Sequence, residues 1–326
     1  MLTTVTGATG LIGNALVGRL VAAGHEVRAV VRDLDAARRV VPLAVELVRG
    51  DLGDPIALAT SFEGSEVVFH AAGMPEQWAR DARVFDEVNR RGTANVCDAA
   101  LTAGVRRVVY TSTMDVFRKG PDGRLREDLP DPDPKPSPYE RSKVAAEREV
   151  DRRLAQGLDV VIVNPSAVYG PTPTRTGLTE IFVRVLTGKA PAVPRGGFSV
   201  AYVGAVADAH VAAAERGRTG ERYLLADRYV TVREFAAAIA RAGGIAKVPR
   251  EVPIGVLRAV AGVSAPFAKL FGFTPMVAAG GLHFVAWQAQ VDATKARSEL
   301  AYTPMPLDEG VRLTVADLRE RGLVPA

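Results

Sequence analysis

Short apolar runs of strand length alternate, through the first half of the chain, with stretches whose apolar residues recur at helical spacing. Residues 2–6 form the first run, and residues 14–23 carry Ala15, Leu16, Leu20 and Val21 on one helical face before Gly24 stops the pattern. Further strands are predicted at 26–31, 45–48, 67–70, 107–110 and 159–163, with helical stretches between them. This rhythm predicts an α/β chain with a parallel sheet covered on both faces. Beyond residue 171 the rhythm gives way to helices broken by proline and glycine. The chain therefore divides into a sheet domain at 1–171 and a smaller, mostly helical and discontinuous lobe at 172–326, with 198–226 returning to the main sheet. Residues 120–136, rich in proline and aspartate, read as a polar loop.

The first strand runs directly into Thr6-Gly7-Ala8-Thr9-Gly10-Leu11-Ile12-Gly13 and then a helix. Glycines in such a turn let the backbone bend sharply and let a pyrophosphate approach the helix N-terminus, where free N–H groups favour an anion. The spacing is Gly-x-x-Gly-x-x-Gly rather than the usual Gly-x-Gly-x-x-Gly, but its place between strand and helix points to a dinucleotide. The residue about 20 positions past the glycines meets the adenosine ribose, an acid selecting NAD and an arginine accommodating the NADP phosphate. Arg32 holds that place, favouring NADP. Asp33 beside it leaves NAD open. Asp51, in Gly50-Asp51-Leu52, is placed to meet an adenine, and Ala71-Ala72-Gly73 allows close backbone approach to the cofactor.

A second cluster begins with Thr111-Ser112-Thr113 at the end of the fifth predicted strand, at the ligand-binding rim of a parallel sheet. Then comes Ser137-Pro-Tyr-Glu-Arg-Ser-Lys143. Ser137 as N-cap, Pro138 at the first helical position and Glu140 completing a capping box start a helix here. Tyr139 and Lys143 then lie one turn apart on one face. An ammonium beside a phenol favours the phenolate and gives a usable acid/base.

Composition narrows the class. The 326 residues are 48% hydrophobic and 24% charged, and 41 basic residues interspersed with 37 acidic ones give a net charge of +4 without a basic block. No nucleic-acid partner is implied. Cys97 is the single cysteine, which rules out an internal disulfide and suits a reducing, cytoplasmic setting. No signal-peptide pattern opens the sequence. Residues 270–287 are uncharged, but their glycines, Pro275 and His283 argue against a spanning helix and leave peripheral membrane contact open. No metal-ligand pattern stands out.

Taken together, Thr6–Gly13, Gly50-Asp51-Leu52, His70–Gly73, Asn89 with Gly92-Thr93, Thr111–Thr113, Tyr139-x-x-x-Lys143 and Asn164-Pro-Ser-Ala-Val-Tyr-Gly-Pro171 resemble the extended short-chain dehydrogenase/reductases. The similarity is greatest to the branch of dihydroflavonol-reductase-like enzymes, 3β-hydroxysteroid dehydrogenases and hopanoid-associated epimerases. The resemblance implies a Rossmann-type doubly wound sheet. It implies Tyr139 as proton donor, Lys143 as the residue that holds the nicotinamide ribose, and Thr113, counted back from Val116-Phe117, as the hydroxyl that polarises the carbonyl, with Ser112 the fallback. Gly7, Thr9, Gly10, Leu11, Ile12 and Gly13 would surround the pyrophosphate, and Arg32, Asp51, Leu52, Ala71, Ala72, Pro165 and Val168 would line the rest of the cofactor. Asn89 would serve structure rather than chemistry. Dimers are common among such relatives.

One departure stands out: many relatives carry two acids where this chain reads Ala201-Tyr202-Val203-Gly204-Ala205-Val206. The expected activity is NADP(H)-dependent interconversion of a ketone and a secondary alcohol on a fairly apolar small molecule. A nucleotide-sugar epimerase or dehydratase is the alternative, and a non-catalytic dinucleotide sensor the third reading.

Overall fold

In a computed structural model, which describes residues 1–75, 79–133, 135–174, 177–257 and 279–325, the alternating half of the chain builds one seven-stranded sheet. Its strands are β1 (Leu2–Thr6), β2 (Glu26–Val31), β3 (Glu46–Arg49), β4 (Val67–His70), β5 (Arg107–Thr111), Val160–Pro165 and Arg222–Leu225. From one edge the order is Arg222–Leu225, Val160–Pro165, β5, β4, β1, β2, β3, with every pairing parallel. The chain winds outward from β1 to β3, then crosses back to β4 and proceeds the other way. Such a reversal opens a crevice between β1 and β4 at the carboxyl ends of the strands, where open α/β sheets bind ligands.

Alternation within each strand explains why both faces are covered. Val161 and Val163 join a core with Leu16, Val17 and Leu20 of helix α1 (Leu11–Ala22) and with alanines of helix Val203–Arg216. Val160 and Ile162 face the other way, into a core with Leu58, Phe62, Val96 and Val150 from helices Pro55–Phe62, Gly92–Thr102 and Pro138–Leu154. Strands buried on both faces read as continuous apolar runs, the signal visible in the sequence. Cys97 is buried in the second of these cores.

A separate core forms beyond the sheet, where Tyr169, Phe182, Phe198 and Phe235 pack edge to face at centroid separations of 5.5–5.9 Å, apart from the stacked Tyr169–Phe182 pair at 6.2 Å. It carries a three-stranded sheet of Ala167–Tyr169, Gly197–Tyr202 and Arg228–Thr231. Residues 198–202 thus pair outside the main sheet, contrary to the expectation that 198–226 returns to it as a block. Only helix Val203–Arg216 and strand Arg222–Leu225 do so.

Residues 120–136 also depart from the expected loop. Arg124–Pro130 is a strand paired with Phe117–Lys119 on one side and Gln290–Val291 on the other. Leu125 is fully buried and Glu127 accepts from the Leu224 amide at 2.9 Å, while Arg126 and Asp122 pair at the surface, so a polar-looking run hides its anchors. Among the described residues no helix is long and apolar enough to cross a membrane; residues 270–278 lie outside them, as does Trp78 of the 74–81 loop, an aromatic expected from the sequence to shield either a substrate or the core.

Arg107 joins three elements at the amino ends of the strands. Its guanidinium binds Asp159 at 2.8 Å and donates to the carbonyls of Ala213, Ala214 and Gly217, capping the C-terminus of helix Val203–Arg216. Replacing it leaves the helix-end carbonyls without this donor and Asp159 with Thr219 alone, among the described residues, as its side-chain donor. Arg107→Met is expected to lower stability by about 3 kcal/mol, measured by denaturant unfolding, with nucleotide affinity unchanged at a temperature where the variant is folded, because the crevice lies at the opposite ends of the strands.

Candidate active site

The glycine turn sits where the β1–β4 crevice begins. Gly7 has φ +80°, and a Cβ there would lie 2.6 Å from the Ala72 nitrogen, so the turn after β1 and the end of β4 touch backbone to backbone. A Cβ on Gly13 would lie 2.2 Å from the Gly7 carbonyl, which seats the first turn of α1 directly on the loop. Gly10 is the N-cap and no side chain caps the helix, so the amides of its first turn, Leu11, Ile12 and Gly13, keep no side-chain partner. Thr9 lies on the same turn. A cradle that admits no Cβ at two positions and presents uncapped amides fits the pyrophosphate of a dinucleotide.

At the end of β2, Arg32 is exposed and makes no ion pair among the described residues. Asp33 is spent locally: its side chain accepts from the Ala36 amide at 2.9 Å as the N-cap of Leu34–Arg38. The two candidates for the ribose thus differ in commitment. Asp51 accepts from Gly53 N at 2.8 Å, and Leu52 is held by Asn95, whose amide donates to the Leu52 carbonyl at 2.7 Å. Gly92 lets Leu52 in, since a Cβ there would meet the leucine at 3.0 Å.

A buried chain of hydrogen bonds fixes the end of β4. Thr93 donates to the Asn89 carbonyl at 2.5 Å, so it accepts from His70 Nε2 at 3.1 Å, and His70 Nδ1 in turn accepts from the Thr6 hydroxyl at 2.8 Å. Thr6 accepts from Ala72 N at 3.4 Å. His70 stays neutral, its pKa pushed down to about 3 by burial and by the charge of Lys143. Asn89, in a π-helical turn Asp86–Arg91, takes both backbone groups of Met74 and donates to Ser142 at 2.9 Å; Ser142 donates to the Tyr139 carbonyl at 2.6 Å. The asparagine therefore clamps the segment after Ala71 and Ala72 to the first turns of the helix that carries Tyr139.

That helix, Pro138–Leu154, starts as its sequence dictates, with Ser137 and Glu140 completing a reciprocal capping box. Tyr139 is half-buried and packs edge-on against Phe85 at 6.5 Å. Lys143 is buried, donating to Tyr110 Oη at 2.9 Å and to the Thr111 carbonyl at 2.8 Å, with its ammonium 4.6 Å from the Tyr110 ring. Burial pushes its pKa down to about 8, and the carboxylates of Glu147 and Asp115 oppose the fall. Glu147, one turn further along, is itself buried and fully occupied: Ser112 donates at 2.5 Å, Asn164 at 2.9 Å and Arg222 at 2.8 Å.

Those contacts separate the two hydroxyl candidates. Ser112 is turned into the core, onto Glu147. Thr113 caps a short turn, Met114–Val116, where its hydroxyl contacts Asp115 Oδ2 at 2.9 Å and accepts from Asp115 N at 3.3 Å. Asp115 is buried beside Lys143. Pro165 closes its strand at the same rim, and Val168 lies in the strand that begins the second core.

Sequence reasoning missed Tyr110, Glu147, Asp115 and His70. Glu147 stands four residues beyond Lys143 on the same helical face, a spacing that could have flagged it. Nothing in the sequence signals that Tyr110 meets the ammonium.

Residues 3–226 match the model of the NAD dependent epimerase/dehydratase family. The chain is 32% identical to a putative dihydroflavonol 4-reductase of Synechocystis sp., over 98% of this chain and 95% of that protein. It is 30% identical to sterol demethylase protein B of Methylococcus capsulatus, over 99% of this chain and all of the relative. Among solved structures, the UDP-glucose 4-epimerase of Thermus thermophilus in complex with NAD superposes with a TM-score of 0.77 at 28% identity, covering 98% of this chain and 99% of that one. With the family model spanning more than half of the chain, and relatives aligned along nearly all of it, the chain belongs to the NAD-dependent epimerase/dehydratase family of extended short-chain dehydrogenase/reductases and is an NAD(P)-dependent enzyme.

Proposed function

We propose that this enzyme reduces a ketone to a secondary alcohol, or runs the reverse, on a fairly apolar small molecule with NADP(H) as cofactor. The observation that carries the reading is the buried ammonium of Lys143, fixed by Tyr110 and the Thr111 carbonyl, one turn from Tyr139 and beside the Thr113 turn. The bound nicotinamide would supply or take the hydride. Everything else falls to the protein: orienting the carbonyl, moving one proton and stabilising the oxygen.

Tyr139 gives that proton to the carbonyl oxygen or takes it from the alcohol. Lys143 makes this possible at neutral pH. With a pKa of about 8 it is cationic at pH 7, and a cation next to a phenol favours the phenolate. Two of its three N–H groups are spent on Tyr110 and Thr111, which leaves one for the nicotinamide ribose. Thr113 holds the carbonyl oxygen. The pyrophosphate lies on Gly7, Thr9, Gly10, Leu11, Ile12 and Gly13, with Asp51, Leu52, Ala71, Ala72, Pro165 and Val168 along the remaining cofactor.

NADP is favoured over NAD by the contrast at the end of β2, an exposed Arg32 with no ion pair among the described residues against an Asp33 already used as a helix cap. An apolar substrate is supported by relatives named as a reductase and a sterol demethylase protein. The likeness to an epimerase holding NAD favours a second reading, epimerisation of a nucleotide sugar with a retained NAD. NAD that co-purifies with the protein, together with turnover of a UDP-sugar and of no simple ketone, would select it.

Tyr139→Phe is expected to cut reduction of a ketone panel, from β-ketoesters to 3-ketosteroids, by about 10²-fold or more, while NADPH affinity measured by fluorescence titration is retained. Arg32→Glu should raise the KM for NADPH about tenfold and leave that for NADH nearly unchanged. Glu147→Gln removes the carboxylate that raises the Lys143 pKa, so that pKa should fall below about 8, read from the 13C shift of the lysine ε-carbon. The same variant should lose stability, because Arg222 would keep only Asp151 as a charged partner.

A further inference from the structure

The Thr113 hydroxyl has one hydrogen, and with Asp115 ionised that hydrogen goes to Asp115 Oδ2, 2.9 Å away. A hydroxyl so committed can accept from a substrate O–H but has nothing to donate to a carbonyl. The acid itself is poorly satisfied as an anion. Asp115 is 4% exposed, and its Oδ1 has no hydrogen-bond partner among the described residues. A bare buried carboxylate oxygen is costly, whereas the carbonyl oxygen of a neutral acid tolerates the same surroundings far better. A neutral Asp115 would also have a hydrogen to place, with Thr113 Oγ1 at hydrogen-bond distance.

We propose that Asp115 is a positioning residue that sets the direction of the Thr113 hydrogen bond. As a neutral acid it donates to Thr113 Oγ1 and frees the threonine hydrogen for the substrate carbonyl. As a carboxylate it takes that hydrogen and leaves the carbonyl facing lone pairs. The proposal rests on the ketone-reducing reading and adds to it control of the site by the protonation of one buried acid. No covalent bond changes beyond the single O–H of Asp115.

The surroundings put this titration in a useful range. Glu140 and Lys143 face Asp115 from helix Pro138–Leu154, and Lys135 faces it from the segment before that helix. Burial and then the Glu140 carboxylate push the Asp115 pKa up to about 6, against the Thr113 hydrogen bond and the two lysines. Neither lysine is free to give itself wholly to Asp115: Lys135 pairs with Asp131 at 2.6 Å and donates to the Phe117 carbonyl at 2.9 Å, and Lys143 is held by Tyr110 and Thr111. Ketone reduction should therefore be fullest below the Asp115 pKa and decline as pH rises through it.

The test is kcat/KM for NADPH-dependent reduction of ethyl acetoacetate and of a 3-ketosteroid, from about pH 5 to about pH 9, in the unmodified chain, Asp115→Asn, Thr113→Val and the double variant. The side-chain amide introduced by Asp115→Asn donates at every pH, so this variant should abolish the decline near pH 6 and raise kcat/KM at pH 8 by about tenfold. Thr113→Val should weaken reduction and make it indifferent to Asp115→Asn. In parallel, infrared difference spectra of the substrate-free protein should show a protonated carboxyl band that titrates with the same pKa and is missing from Asp115→Asn. A decline that survives Asp115→Asn, or the absence of such a band, overturns the proposal. Absence of the band from the unmodified chain overturns the proposal even where the variant does not fold. If Tyr139→Phe abolishes reduction but Asp115→Asn leaves the profile unmoved, the proposal alone falls. If neither ketone is reduced, the functional reading falls and takes the proposal with it.

Discussion

A buried ammonium is the constraint around which the carboxyl end of this sheet is arranged. Taking Lys143 out of water disfavours its charge, and the fold answers with three different kinds of partner. Tyr110 and the Thr111 carbonyl accept its hydrogens, the Tyr110 ring lies under it, and Glu147 and Asp115 supply opposite charge without touching it. Each comes from a separate feature: the β5 strand, the next turn of the same helix, and the turn after the strand. The helix cannot slide or rotate relative to β5 without stranding a charge, so the element that carries Tyr139 is held in register by electrostatics as well as by packing.

The second constraint is close backbone approach at the β1–β4 crevice. Because neither Gly7 nor Gly13 has room for a side chain, the turn after β1, the end of β4 and the first turn of α1 meet backbone to backbone. Thr6, His70, Thr93 and Asn89 then transmit this arrangement to the helix of Tyr139 and Lys143 through hydrogen bonds alone. His70 suits the task because it is too buried to charge. A cationic imidazole there would have to donate from both nitrogens and would lose the bond that Thr6 makes to it.

Much of this was legible before any coordinates. Continuous apolar runs, glycine turns and the Ser137 capping box are local signals, and the main-sheet strands, α1 and the helix of Tyr139 follow them closely. What escaped was made by tertiary contact. Arg124–Pro130 looks like a loop because Leu125 is its one fully buried apolar side chain, and its pairing with Gln290–Val291 is distant in sequence. Gly197–Tyr202 is a buried strand like those of the main sheet, and nothing local says that it pairs elsewhere. Tyr110 reads as one more core aromatic of β5 until Lys143 is brought against it. The choice between Ser112 and Thr113 depended on a buried glutamate from another element, which no count along the strand could supply.

The two halves of the proposed site are consequently held by different parts of the molecule. Tyr139 and Lys143 depend on the main sheet and its covering helices. The Thr113 turn depends on a further cluster that reaches past the sheet, in which Met114, Val116 and Phe117 pack with Leu125, Leu224 and Ala289, and Phe284 and Trp287 lie against it. Lys135, bonded to the Phe117 carbonyl, also lies 5.5 Å from the Trp287 ring, and Lys119 donates to the Trp287 carbonyl. Any shift of the second lobe would thus reach the hydroxyl proposed to hold the carbonyl before it reached Tyr139 and Lys143. A division of that kind would let the shape of a substrate be read by one half of the proposed site while Tyr139 and Lys143 stay fixed on the main sheet.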